Sequence, residues 1–145
     1  MTIDRAEIAR LVPHAGAMCL LDTVVAWDRD RIVCHSFRHQ ASDNPLRTRE
    51  RLPAIHAIEF AAQAMAAHHY LTGGRASTPR HGLLVSVRQC RFAADRLDTC
   101  ASPLVIEAIR VAATVESLTY RFTVGPAEMA VVEGRVSVLL VAEEA

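Results

Sequence analysis

Lysine is missing from this chain: all sixteen basic residues are arginine, and sixteen acidic residues balance them to no net charge. Arginine offers planar, bidentate contacts to phosphate and carboxylate, but its exclusive use reads more simply as coding bias than as function. A neutral chain has no overall attraction to nucleic acid or to an anionic membrane. Missing too is any Cys-x-x-Cys pair. Cys19, Cys34, Cys90 and Cys100 lie far apart, which removes the usual signatures of zinc and thioredoxin-like sites and fits reduced thiols. No apolar run approaches the ~18 residues that span a bilayer. The opening "MTIDRAEIARLVPHAGAM" carries acidic residues where a signal peptide has its apolar core. The expectation is a soluble, cytoplasmic chain without internal repeats or low-complexity tracts.

What is present suits one globular domain over residues 1–145, with 51% apolar and 22% charged residues and a length at which a core forms without disulfides or metal. Asp4 is placed to cap a short helix over "RAEIARLV", ending at Pro13. "AMCLLDTVVAW" and "RIVCHSFRH" flank the polar "DRDR" and predict an antiparallel hairpin. The Pro-containing "QASDNPLRTRERLP" predicts a long loop, a length usually tied to function. It leads into "LPAIHAIEFAAQAMAAHHYL", a helix from about Pro53 to the Gly73–Gly74 stop. After the loop "RASTPRHG" come "LLVSVRQCRF", "SPLVIEAIRVAAT", "VESLTYRFTV" and "EMAVVEGRVSVLLVAEE", long strands with Gly125–Pro126 as a turn. One helix and about five strands must cover each other in an α+β arrangement. The helix alanines would let a curved sheet wrap closely around it.

That helix carries a polar line. At about 100° per residue, His56, Glu59 and Gln63 stand one turn apart on nearly one face. Ile55, Ile58, Ala62 and Met65 lie off the line and are expected to bury against the sheet, so the line faces a cavity, a partner or solvent. The bland alternative is a surface His–Glu pair. Against it, Glu59 is the sole Asp, Glu or Arg between Leu52 and Leu71. A carboxyl held among Ala, Ile and Phe keeps its proton to a higher pH and serves as a general acid. An imidazole beside it is a natural base. Free amides around Ala54 and Ile55 at the helix start can polarise a carbonyl oxygen.

His56 and Glu59 also supply half of a di-metal bundle site, but no further carboxylate-bearing helices complete it, and no metal or cofactor is expected. His68 and His69 end the helix, where positive charge suits the dipole. His14, His35, His39 and His81 fall near turns or on strands; His39, opening the long loop, reads as a surface residue. Arg47, Arg49 and Arg51 either dock a phosphate at a pocket mouth or form a solvated loop with Glu50, and the two readings stand equal.

"LVPHAGAMCLLDTV", "LPAIHAIEFAAQAMA", "LLVSVRQCRFAADRLDTCASPLVIEA" and "VVEGRVSVLL" together resemble the hotdog-fold 3-hydroxyacyl-[acyl carrier protein] dehydratases over nearly the whole chain. The resemblance implies a curved antiparallel sheet around one long helix, in a homodimer or a heterodimer with a related subunit. It implies water elimination from a 3-hydroxyacyl thioester on acyl carrier protein, with Glu59 as the acid and the amides at Ala54 and Ile55 holding the thioester carbonyl. Gln63 and Arg47 are the further candidate substrate-binding residues. The family's Gly-His-Phe-Pro-Gly stretch, which supplies the catalytic His, is replaced by "SDNPLRTRER", and Ala54 stands where a glycine is usual. "DNPLR" and "LPA" are similar to a divergent branch tied to aryl polyene pathways, some of whose members are partner subunits. Three expectations follow: a dehydratase with His56 as substitute base, a catalytically impaired hotdog subunit that binds acyl chains or stabilises a partner, and a thioesterase in which Glu59 activates water.

Overall fold

The computed structural model describes residues 2–11, 16–73 and 80–142. The expected helix stop at Pro13, His14, Gly74 and most of the loop after the long helix lie outside the described residues. Asp4 caps as expected: its side chain accepts from the Glu7 N–H at 3.0 Å, and helix α1 runs Arg5–Leu11 after a two-residue strand β1, Ile3–Asp4. The hairpin is shorter than its apolar pattern, with β2 at Thr23–Trp27 and β3 at Arg31–Ser36.

Helix α2 spans Ala57–Leu71 after a single 3-10 turn at Ala54–His56. Four long strands follow: β4 Arg80–Phe92, β5 Leu104–Ala113, β6 Ser117–Pro126 and β7 Val132–Ala142. All seven strands form one sheet in the order β1-β2-β3-β5-β6-β7-β4, antiparallel throughout. The inner face alternates with the outer at period two: Ile32, Cys34 and Ser36 on β3, Leu104, Ile106 and Ala108 on β5, and Leu118, Tyr120, Phe122 and Val124 on β6 are buried.

These side chains pack on α2, which meets β3, β5 and β6. Ala57, Ala61, Ala64 and Ala67 have no exposed surface, so the helix face against the sheet is made largely of methyl groups and the sheet approaches closely. This is the hotdog architecture, a long sheet wrapped around one alanine-rich helix.

Two local expectations fail. Gly125–Pro126 is not a turn but the end of β6. Gly125 is needed for close packing, since a Cβ there would lie 2.6 Å from the Val131 nitrogen and 2.7 Å from the Met129 oxygen. Arg80–Gly82, read as loop, belongs to β4, where pairing to Leu140–Ala142 overrides the glycine signal.

Candidate active site

The start of α2 is fixed from outside the helix. The loop between β4 and β5 runs back along residues 52–54: Leu97 N–H donates to the Leu52 carbonyl at 2.8 Å, and Ala54 N–H donates to the Asp95 carbonyl at 3.0 Å. Asp98 accepts from the Leu52 N–H at 2.8 Å and is paired with Arg96. The Arg96 hydrogen bonds hold the Asp98 carboxyl well below the usual carboxylate range. The expected pair of free amides is therefore half spent. Ala54's N–H is occupied, whereas that of Ile55 has no acceptor among the described residues.

Beside this start lies a hollow of about 680 Å³ lined by Pro53, Ala54, Ile55, Phe92, Ala93, Ala94 and Asp95, within the usual range of ligand pockets. Its side from the β4–β5 loop escaped the sequence reading. Phe92 and Ala93 end a strand pattern and carry no local sign that they fold against a helix start 38 residues earlier.

His56 and Glu59 come together: His56 Nδ1 lies 3.5 Å from Glu59 Oε2. Ile55 and Glu59 are four apart and so share a helix face, which sets the carboxyl about one turn, ~5.4 Å, from the Ile55 wall of the hollow. The polar line itself breaks up. Glu59 is not withdrawn from water in the single chain; its side chain is 47% exposed. The reason is rotational: the sheet takes the face of Ala57, Phe60, Ala61 and Ala64, and Glu59 stands nearly opposite. Ile55, expected to bury, is 52% exposed, and Ile58 and Ala62 are half-buried; of the four, Met65 alone is buried.

Gln63 is not on an open face. It is 2% exposed, its Oε1 accepts from the Leu20 N–H at 2.8 Å, and its Nε2 donates to the Met18 carbonyl at 2.6 Å. Its amide pins the segment before β2 to the helix. Arg47 likewise spends its guanidinium on its own loop, donating to the carbonyls of Ala41 at 3.3 Å and Glu50 at 2.8 Å. Arg49 and Glu50 occupy the left-handed region at φ 52° and 64°, the tip of a tight turn closed by the two backbone bonds between Thr48 and Arg51.

Asn44 is buried in the stretch that replaces the family's histidine motif. Its Nδ2 donates to the Arg38 carbonyl and its Oδ1 accepts from the Leu46 N–H, so this amide shapes the loop and offers no titrating group.

His39, His68 and His69 also depart from expectation. His39 is buried with Nε2 3.1 Å from the Cys100 carbonyl. His68 is buried between the Tyr120 hydroxyl at 2.5 Å and the Asp28 carbonyl at 2.8 Å. Burial pushes His39, His68 and His69 below the ordinary imidazole value. His68 and His69 are thus poor cations for the helix dipole.

The profile of the ApeP-like family, described as ApeP dehydratase, matches residues 6–145. The chain belongs to the ApeP-like dehydratase family. No curated protein sequence shows significant similarity to it. Among solved structures, the ApeP-like chain is similar to the dehydratase heterocomplex ApeI:P of Xenorhabdus doucetiae, at TM-score 0.81 and 21% identity over 92% of this chain and 90% of that one. It is also similar to a thioesterase of Pseudomonas aeruginosa, at TM-score 0.66 and 11% identity over 99% and 97% of the two chains. A third likeness is to AziG of S. sahachiroi, at TM-score 0.64 and 18% identity over 92% and 100%. Identities this low establish the shared hotdog fold and nothing finer.

Proposed function

We propose that this ApeP-like chain is a cytoplasmic dehydratase that eliminates water from 3-hydroxyacyl thioesters carried on acyl carrier protein, in a fatty-acid-like or aryl polyene pathway. The observation that carries the reading is the His56–Glu59 contact of 3.5 Å one helical turn from an acyl-sized hollow. The thioester carbonyl accepts from the Ile55 N–H, which acidifies C2. His56 takes the C2 proton and Glu59 protonates the departing C3 hydroxyl, giving an enoyl thioester and water. The proton then returns from His56 to Glu59 across their contact, and the site is reset.

The outer face of α2, with exposed Ile55 and half-buried Ala62 and Ala66 around Glu59, calls for a covering partner, a second hotdog subunit of the same or a related sequence. The heterocomplex formed by ApeI:P supports such an assembly here. Asn44, in the stretch where the family places its histidine, favours one second reading: a subunit that serves a more conventional dehydratase partner.

The test is purified chain with 3-hydroxyacyl thioester, following enoyl absorbance and free thiol separately. Enoyl formation that falls at least a hundredfold in Glu59→Gln and drops in His56→Ala supports the dehydratase. Thiol release without enoyl would instead make it a thioesterase. Silence that a co-expressed homologue relieves, with Glu59→Gln indifferent, would transfer the chemistry to the partner.

A further inference from the structure

The loop between β4 and β5 lines the hollow through Ala93, Ala94 and Asp95 and also grips the chain just before α2. Pro53 stands opposite Arg96 in a single antiparallel bridge, flanked by the Leu97–Leu52 and Ala54–Asp95 backbone bonds. In a regular ladder the Leu52 N–H would return a bond to the Leu97 carbonyl. Here that carbonyl accepts from the Cys100 N–H at 2.9 Å and closes the turn at 97–100. Asp98 fills the missing rung, its Oδ1 accepting from the Leu52 N–H at 2.8 Å.

A carboxylate is a costly group for that place. The Asp98 side chain is almost entirely buried while Arg96 keeps about a third of its surface in water. A buried ion pair adds little to stability over neutral groups of the same shape, so a neutral acceptor would hold the fold as well. What the pair adds is definition. Arg96 donates from Nε to Oδ1 at 3.1 Å and from Nη2 to Oδ2, which fixes the plane of the carboxyl as well as its place. The guanidinium also cancels a negative charge that would oppose an oxyanion forming near Ile55. The far end of the turn is held too, since His39 Nε2 and Gln40 Nε2 both donate to the Cys100 carbonyl at 3.1 Å.

Between Leu52 and Ile55 the chain has little freedom. The Pro53 ring holds φ at −56°, and the Ala54 N–H is tied to Asp95. A displacement at Leu52 is therefore passed on to the Ile55 N–H. We propose that Asp98 is the positioning residue of the candidate site, and that its bond to the Leu52 N–H sets where the Ile55 N–H meets a thioester carbonyl. The inference rests on the reading of the hollow as a thioester site.

The test uses the assembled full chain, isotope-labelled for amide NMR, beside Asp98→Asn, which keeps an acceptor for the Leu52 N–H, and Asp98→Ala, which does not. The ligand is the ketone analogue of butyryl-pantetheine, in which a methylene replaces the thioester sulfur, so that it offers a carbonyl and is not turned over. We expect it to shift the Ile55 amide resonance in the wild type and in Asp98→Asn, and not in Asp98→Ala. With 3-hydroxybutyryl-pantetheine, kcat falls roughly ten- to a hundredfold in Asp98→Ala at a KM close to wild type, because a misplaced oxyanion donor acts on the transition state. Asp98→Asn recovers most of that loss. Asp98→Ala melts lower, since the Leu52 N–H is orphaned, but is folded at the assay temperature. An Ile55 resonance that ignores the ketone in the wild type, or that moves equally in Asp98→Ala, overturns the proposal. So does a loss in Asp98→Asn as deep as in Asp98→Ala, or an Asp98→Ala chain that does not fold, either of which makes the ion pair structural. Enoyl formation without an Ile55 shift leaves the dehydratase standing and sinks the positioning role. An Asp98-dependent shift with no enoyl does the reverse.

Discussion

Replacing Gln63 by Leu separates a fold-holding role from a substrate-binding one, because the two predict opposite results. The substitution puts an apolar side chain of similar size into a site that is 2% exposed. It removes the acceptor for the Leu20 N–H and the donor to the Met18 carbonyl. An orphaned buried polar group costs about 1–3 kcal/mol. The Leu20 bond is buried and takes the middle of that range, while the Met18 carbonyl is partly open and takes the lower end. The sum is about 2–4 kcal/mol, which for a chain of this size lowers the midpoint of thermal unfolding by on the order of 10 °C.

Gln63→Glu sharpens the test. The carboxyl still accepts from Leu20 but faces the Met18 carbonyl, and burial raises its folded pKa above the unfolded ~4.3. The folded state then binds more protons than the unfolded, so stability is near wild type in acid and falls as pH rises above ~4.3. The assay is urea or thermal unfolding across pH beside enoyl formation. An unfolding midpoint within about 1 °C of wild type, with thioester turnover lost, would refute the reasoning and return Gln63 to the substrate.

Three further outcomes are expected. Wild-type stability rises with pH up to about 6.5 and then levels, since the lowered pKa values of His39, His68 and His69 mean that the unfolded chain binds more protons in that window; His68→Gln makes the slope shallower in denaturant titrations, and an unchanged slope counts against a neutral buried His68. Gly125→Ala loses about 1–3 kcal/mol in urea unfolding, because its Cβ meets backbone atoms at 2.6–2.8 Å that cannot swing away; a wild-type midpoint shows that the β6–β7 connection yields freely. Enoyl formation per chain falls on dilution in step with loss of the assembled species by light scattering, since the lone chain leaves Glu59 in water; equal activity in a dissociated chain removes the partner from the site.

The elements whose signal is local were readable in advance. Asp4 caps a helix three residues away, and the alanine period of α2 and the alternation along β5 and β6 are written into consecutive residues. What stayed hidden depends on pairs distant in sequence. Gln63 meets Leu20 across 43 residues, His68 meets Tyr120 across 52 and His39 meets Cys100 across 61; each looked like a spare polar group until its partner was in place. Rotational phase explains the error at α2. Knowing that His56 and Glu59 share a stripe does not say which stripe the sheet takes, and the sheet takes the one of Ala57, Phe60, Ala61 and Ala64.

That choice has a chemical consequence. A carboxyl acts as a general acid near neutrality only when water no longer stabilises its charged form, and in one chain the Glu59 side chain is 47% exposed. Its surroundings on the same helix face, Ile55, Ala62 and Ala66, are apolar and nearly free of charge, so a second surface laid over them would desolvate Glu59 without burying any other ion. Phe92, 45% exposed, extends this apolar rim across the hollow from the β4 side, next to the free edge of β4. In the proposed assembly, the hydrophobic contact between subunits and the desolvation of Glu59 would thus fall on one surface. On that proposal, assembly and chemistry depend on the same few side chains.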